Sequence, residues 1–245
     1  MNSISIIAPV IAGIAGGIAG IYLHGRITRD VKILLAFSGA YLFGITVLHL
    51  MPEIFEHLTF NAGYYILIGF LLQIVLDIFS KGVEHGHIHQ SDQKSKQFPF
   101  GIFIALFIHS LIEGLPLTES AAVANHHHGS DHHVDELLLG VVIHKVPEAI
   151  ALAALLYHYY ASKRKVILMI LLYSTATPIG LLLGSALVNS SIEDPMYVYS
   201  ALLAIAVGIF LHVSTTIIFE ADEHHKLNWR KILAILLGLG LVLLI

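Results

Sequence analysis

The amino-acid sequence predicts an all-α integral membrane protein, and three observations support this fold class. Of the 245 residues, 56% are hydrophobic and only 12% are charged, whereas charged residues make up about a quarter of an ordinary soluble domain. The mean hydropathy is +0.80. Apolar stretches recur along the chain, and nearly all basic residues lie between them.

Eight apolar stretches, each of roughly 17 to 27 residues, are long enough to cross a hydrocarbon core of about 30 Å as helices. These predicted spans, numbered in chain order, cover residues 4–23, 31–51, 62–80, 98–124, 134–159, 165–188, 195–219 and 229–245. We predict one transmembrane domain over residues 1–245. No basic region precedes the first span, so we expect it to stay in the membrane and not to be a cleaved signal peptide.

The basic residues predict the orientation of the spans. Twelve of the 13 Lys and Arg residues lie in, or at the ends of the spans that border, the connections after spans one, three, five and seven. The opposite connections have no Lys or Arg and contain Glu53, Glu56, Asp131, Asp135, Glu193 and Asp194. Because positive loops stay in the cytoplasm, both termini are predicted to be extracytoplasmic. The histidine-containing loop 81–97 is then cytoplasmic.

Composition excludes several other classes of function. The net charge of −4 is small and the basic residues are dispersed, which indicates no nucleic-acid partner. The absence of cysteine rules out disulfides and the thiolate sites that select Cu(I). No Gly-x-x-x-x-Gly-Lys-Ser/Thr sequence occurs, so a P-loop ATPase is excluded within this chain.

Prolines and glycines indicate how the spans pack. Prolines lie inside spans four, five and six, at Pro116, Pro147 and Pro178. Each frees a backbone carbonyl, which is tolerated at membrane depth beside a cavity or a well-packed neighbour. We therefore expect spans four to six to form the centre. Glycines four residues apart in spans one and six predict close helix packing.

Four ionisable groups at one depth, plus a lysine, lie inside spans four and five, where such groups usually mark a functional pathway. His109 and Glu113 are four residues apart, as are His144 and Glu148, so each pair shares one helix face. Each histidine is ~15 Å from one end of its span, close to mid-membrane. Four N/O ligands of this kind suit Zn, Fe(II), Mn or Co better than Mg, Ca or Cu(I). The alternative is that both pairs are structural polar contacts.

Two motifs carry a resemblance to a known family. His-Ser-Leu-Ile-Glu-Gly at 109–114 and His-Lys-Val-Pro-Glu at 144–148 resemble the fourth-helix and fifth-helix motifs of the ZIP (Zrt-, Irt-like protein) metal transporters. His-Leu-Met-Pro-Glu at 49–53 and the histidine-bearing loop after span three are also similar to that family.

The resemblance implies one transporter domain with a 3+2+3 helix arrangement and inverted repeats, and it implies a homodimer. We expect the protein to lie in the lipid bilayer of a plasma or inner membrane. It also implies inward movement of a divalent transition metal, with zinc first and iron, manganese or cadmium as alternatives. The metal is cargo, and no cofactor is expected.

Carried over by position, His109, Glu113, His144 and Glu148 match one metal site of the family's pair. The adjacent second site departs from the pattern, with Ser110, Lys145 and Thr177 at its positions. Our hypothesis is a single-metal variant in which the Lys145 ammonium replaces the second ion. The alternative is that Lys145 snorkels to the interface or is neutral.

Further polar residues suggest an entrance and an exit. We assign His49, Glu53 and Glu119 to the entrance, and Asp77, His212 and Glu220 to the exit; simple interfacial solvation is the alternative. The tract 125–133 contains five histidines and His85, His87 and His89 lie in the cytoplasmic loop. Histidine-rich tracts bind metal weakly, although both tracts are equally consistent with solvated loops.

We predict that the protein is not an enzyme. The rival from another class is an integral-membrane zinc-dependent hydrolase, which requires an open coordination position and a separate general base. A metal sensor without flux is the third alternative.

Overall fold

The computed structural model describes residues 3–23, 28–80, 100–118, 132–191, 194–219 and 229–244, and these residues are helical with no β-strand. Their α-helices, in chain order, are α1 (Ser3–Leu23), α2 (Thr28–Ile45), α3 (Met51–Leu58), α4 (Ala62–Ser80), α5 (Phe100–Gly114), α6 (His132–Tyr160), α7 (Lys163–Ser174), α8 (Ala176–Ser190), α9 (Pro195–Phe219) and α10 (Trp229–Val242). A π-helical segment covers Thr46–Leu50, and 3₁₀ turns cover Thr59–Asn61 and Leu115–Leu117.

Six helical stretches among these residues are long and apolar enough to cross a membrane. The stretch Val31–Ser80 has 50 residues and contains both the second and the third predicted spans. In the eighth predicted span, residues 229–244 are described, and α10 covers 14 of them. Large apolar side chains are exposed along α4, including Leu67, Ile68 and Leu71, as expected of a helix that crosses hydrocarbon.

The helix of the second span continues beyond its predicted end at residue 51. Helix α2 passes into the π-helical segment and then into α3, which ends at Leu58. Pro52 lies in the first turn of α3 and has no N–H to donate, so the regular hydrogen-bond ladder cannot pass through it. The π-helical segment immediately before Pro52 accommodates this defect without ending the helix.

The fourth span has a shorter α-helix than predicted. Helix α5 ends at Gly114, a 3₁₀ turn follows, and Thr118 is extended. Pro116 ends the helix because its ring clashes with the carbonyl one turn earlier. Residues 98–99 and 119–124 of this predicted span lie outside the described residues.

The sixth span is divided at Thr175, which separates α7 from α8. Pro178 lies four residues after Ser174, the last residue of α7. Because proline has no backbone N–H, it cannot donate a hydrogen bond to the Ser174 carbonyl. Thr175 N–H instead donates to the Leu172 carbonyl at 3.1 Å. Pro147, by contrast, is accommodated inside the continuous helix α6.

Four helix pairs form the closest contacts: α1 with α6, α5 with α8, α4 with α9, and α2 with α10. Glycines bring the backbones together in each pair. A Cβ atom at Gly16 would collide with the Val146 carbonyl, and one at Gly180 with the Leu111 carbonyl. Such contacts hold α5 and α6 in fixed positions, and these two helices contain the predicted metal ligands.

Candidate metal centre

Three of the four predicted ligands converge between α5 and α6. His109, His144 and Glu148 each offer a ligand atom, and these atoms all lie within 4.8 Å of one another. All three side chains have 0% exposure. The imidazole centroids of His109 and His144 are 6.3 Å apart in an edge-to-face arrangement. Two helices thus present nitrogen and oxygen donors to one buried point.

The donor set fits a small divalent transition metal. Zinc binds histidine nitrogen and carboxylate oxygen at about 2.0 to 2.2 Å, which places tetrahedral ligand atoms about 3.4 Å apart. A contraction of at most about 1.4 Å by side-chain rotation would bring the widest pair, which is within 4.8 Å, to that separation. Imidazole with carboxylate also suits Fe(II) and Mn, so the ligand types alone do not select one metal.

The fourth predicted ligand, Glu113, lies beside this group without belonging to it. Its Oε1 atom is 3.0 Å from His109 Nε2, and its Oε2 atom is 3.7 Å from Lys145 Nζ. The carboxylate is 1% exposed. Glu113 therefore connects the three-residue group to the lysine.

Lys145 is fully buried and surrounded by partners for its charge. Its ammonium donates a hydrogen bond to Ser110 Oγ, forms the ion pair with Glu113, and lies 4.7 Å from the centroid of the Tyr173 ring. Cation–π attraction is strongest when both partners are desolvated. The side chain does not snorkel to the membrane interface, and it points into the region occupied by Ser110.

Thr177, the third residue at the second-site positions, is also buried. It lies in the first turn of α8, directly after the break before Pro178. Its backbone carbonyl packs against Gly114, where a Cβ atom would collide with it. The glycine that ends the fourth-span motif therefore permits α8 to approach α5 next to Glu113.

Two neighbours of the site were missed in the sequence. Gln73 on α4 is fully buried, and its Oε1 atom lies 2.9 Å from His109 Nδ1. Tyr173 on α7 is also fully buried and adjoins both Ser110 and Glu148. A signal was available for Gln73, because it is the one amide in the apolar third span. Tyr173 resembles an ordinary apolar-face residue and gave no such signal.

At the predicted outer end, the π-helical segment meets the first turns of α6. His49 Nδ1 contacts Glu136 Oε2, and Tyr41 donates a 3.3 Å hydrogen bond to the Glu136 carbonyl. Glu53 lies within electrostatic reach of Glu136. Glu136 was also missed in the sequence. The third predicted entrance residue, Glu119, lies outside the described residues.

At the predicted inner end, Asp77 accepts a 3.5 Å hydrogen bond from Ser80. The His212 ring packs edge-to-face on Phe70, with centroids 5.1 Å apart. Glu220, the cytoplasmic histidines at 85, 87 and 89, and residues 125–131 of the outer histidine tract lie outside the described residues.

Comparisons with known proteins agree with the family resemblance of these motifs. A family model described as ZIP Zinc transporter matches residues 80–245, which is more than half of the chain and includes both motif helices. Protein zntD of Dictyostelium discoideum is 32% identical over 166 residues, covering 64% of this chain and 23% of that protein. The chain thus spans less than a quarter of the length of this relative. The chain belongs to the ZIP zinc transporter family.

Proposed function

We propose that this protein moves a divalent transition metal ion, zinc in the first place, into the cytoplasm through one mid-membrane site. His109, His144 and Glu148 bind the ion, and Glu113 completes the ligand set. The convergence of three fully buried metal-ligating side chains from two membrane helices carries this proposal. Burial of such groups in hydrocarbon is unfavourable unless they serve a pathway.

Lys145 makes the site a single-metal centre in this proposal. Its ammonium lies against Ser110 and Glu113, at positions where a two-metal relative would hold a second ion. One positive charge there offsets one of the two carboxylates, Glu113 and Glu148. The bound divalent ion then leaves the site with one net positive charge if both imidazoles are neutral.

The path to the site runs from an outer entrance to an inner exit. We propose that His49 and Glu53, together with Glu136, receive the ion on the extracytoplasmic side, where both termini lie. We also propose that Asp77 and His212 line the exit. Glu119 and Glu220, which lie outside the described residues, remain sequence-based candidates for the entrance and the exit. Binding midway between the two surfaces suits a carrier whose access alternates between the two sides of the membrane.

The helix pairing supports the 3+2+3 arrangement with inverted repeats. Exchanging α1 with the α7–α8 pair, α2 with α9, α4 with α10, and α5 with α6 maps each close pair onto another. The α1–α6 contact becomes α8–α5, and the α4–α9 contact becomes α10–α2; all four are close contacts of the fold. A homodimer remains a prediction of the family resemblance.

Uptake into proteoliposomes under set pH gradients tests this function. We expect the purified protein to accumulate zinc and to discriminate among Zn, Fe(II), Mn and Cd. The double substitution His144→Ala with Glu148→Ala should abolish uptake. His158→Ala, an exposed histidine near the end of the same helix, is the matched control and should leave uptake unchanged.

The outcomes distinguish transport from the rival functions. Metal binding without uptake would support a sensor, and metal-dependent cleavage of a lipid or peptide would support a hydrolase. Uptake that persists in the double variant would contradict the proposed site.

A further inference from the structure

The hydrogen bond between Gln73 and His109 links the metal centre to a helix that contributes none of the four ligands. The buried residues of α4 are Ala62, Gly69, Gln73, Leu76 and Ser80, which follow the spacing of a single helix face. The opposite faces of α4 carry exposed apolar side chains. Gln73 is thus an amide directed into the protein at the level of His109.

Backbone packing holds Gln73 in this position. Gly69, one turn before it, contacts the Ile205 carbonyl so closely that no Cβ atom would fit, and Gly208 packs against the Ile66 carbonyl in the same way. These reciprocal glycine contacts join α4 to α9 at backbone distance. Since the helix cannot slide or rotate freely, the side chain of Gln73 reaches α5 from a defined point.

The bond determines which nitrogen of His109 faces the metal. A neutral imidazole has one N–H donor and one acceptor nitrogen. The Gln73 oxygen accepts from Nδ1–H over 2.9 Å, so Nε2 is the nitrogen left to bind a metal, which would take the place of any proton that Nε2 shares with Glu113. Nε2 is also the nitrogen that faces Glu113, at 3.0 Å. Metal-binding histidines commonly donate their other N–H to a neighbour in this way, and losing that neighbour typically lowers metal affinity 10–100-fold.

We infer that Gln73 is a positioning residue of the metal centre: its side-chain oxygen holds His109 in the Nδ1–H tautomer and orients Nε2 as a ligand. The inference rests on the proposed function, because it assumes that His109 binds the transported ion. It adds a fifth residue, from a third helix, to the four that the sequence motifs indicate.

Two substitutions at Gln73 separate the hydrogen bond from packing. Gln73→Met keeps the length and approximate volume of the side chain but removes the acceptor. Gln73→Glu retains an oxygen that accepts from Nδ1–H. Ser38→Ala removes a different buried polar group, whose hydroxyl donates to the Leu35 carbonyl, and serves as the control for general loss of polarity.

Cobalt binding to the purified full-length protein gives the main readout, through the affinity and the visible absorption spectrum of Co²⁺. We expect Gln73→Met to weaken Co²⁺ binding about 10–100-fold and to change the spectrum. Gln73→Glu should restore wild-type binding, and Ser38→Ala should match wild type. Wild-type affinity and spectrum in a folded Gln73→Met variant would overturn the inference.

Nitrogen-15 NMR of histidine-labelled wild-type protein keeps the inference testable if the methionine variant does not fold. We expect the metal-free His109 signal to show a proton on Nδ1, and a proton on Nε2 alone would overturn the inference. Failure of the proposed function gives a different pattern. In that case the double variant His144→Ala with Glu148→Ala would bind Co²⁺ as tightly as the wild type, or the wild type would bind the metal without transporting it.

Discussion

Lys145 Nζ lies 3.7 Å from Glu113 Oε2, and the two side chains are 0% and 1% exposed. This buried ion pair joins α5 to α6 next to the metal-ligating group. Removing one partner of such a pair leaves an uncompensated charge, whereas replacing both with neutral groups is far less harmful. The relationship therefore predicts coupling between the two residues.

We predict that Lys145→Met and Glu113→Gln each lower the free energy of unfolding by about 3–5 kcal/mol, measured without metal in detergent. The double variant should lose much less than the sum of the two. Denaturant unfolding of all four proteins forms a double-mutant cycle. Simply additive losses would contradict a stabilising contact between the ammonium and the carboxylate.

Metal stoichiometry tests the role of Lys145 in the site. We predict one centrally bound metal per wild-type chain and two in Lys145→Asp, because the aspartate adds a carboxylate where the ammonium had offset one. Elemental analysis gives the number of metal ions per chain. The number found in the His144→Ala, Glu148→Ala variant is subtracted, because it counts the ions bound elsewhere. Lys145→Gln is the control and should keep one ion. An unchanged count of one ion in Lys145→Asp would contradict the hypothesis that the Lys145 ammonium replaces a second metal ion.

The outer contact between His49 and Glu136 predicts an effect on metal entry. Glu136→Gln removes a negative charge beside His49 and Glu53, so ions should be attracted less strongly to the entrance. We expect a higher half-saturating metal concentration in uptake assays, with an unchanged number of ions bound at the centre. Asp194→Asn, an exposed carboxylate at the start of α9 that accepts a hydrogen bond from the Tyr197 N–H, is the matched control, because asparagine keeps that acceptor and removes the charge. Equal half-saturation in both variants would exclude Glu136 from the entrance.

The glycine contacts predict a graded effect on stability. A Cβ atom at Gly180 would collide with the Leu111 carbonyl, whereas one at Gly240 would meet nothing within 4 Å. Gly180→Ala should therefore destabilise the protein by about 1–3 kcal/mol through overpacking. Gly240→Ala should be neutral or stabilising by up to about 1 kcal/mol, because alanine favours helix. Thermal unfolding of both variants checks this, and equal melting temperatures would contradict it.

Much of the membrane organisation was predictable because hydrophobicity and charge act locally. The apolar composition predicts membrane-spanning helices, because an unpaired backbone N–H or C=O group in hydrocarbon is energetically costly and a helix pairs these groups within one segment. Helix ends were less predictable. Pro52, Pro116, Pro147 and Pro178 look alike in the sequence, yet they coincide respectively with a π-helical segment, a helix end, a continuous helix and a break between helices. Neighbouring helices decide which of these outcomes is tolerated.

In the candidate site, too, the features that depend on local spacing were predictable and the contacts between helices were not. Spacing of four residues indicates that His109 and Glu113 share a face, as do His144 and Glu148, since helical periodicity is a local property. The partners of Lys145 depend on packing: Ser110 lies 35 residues away in sequence and Tyr173 belongs to α7. No spacing rule predicts that Gln73, 36 residues from His109, would accept its hydrogen bond.

The sequence by itself determined the all-helical membrane class, the family resemblance and the four ligand candidates, because these follow from composition and from spacing within single helices. Only the tertiary structure decided that His109, His144 and Glu148 form the closest group, that Glu113 turns between His109 and Lys145, and that Gln73 supports His109. Contacts between helices depend on how closely their backbones approach, and here glycine-mediated packing across the whole chain sets that distance.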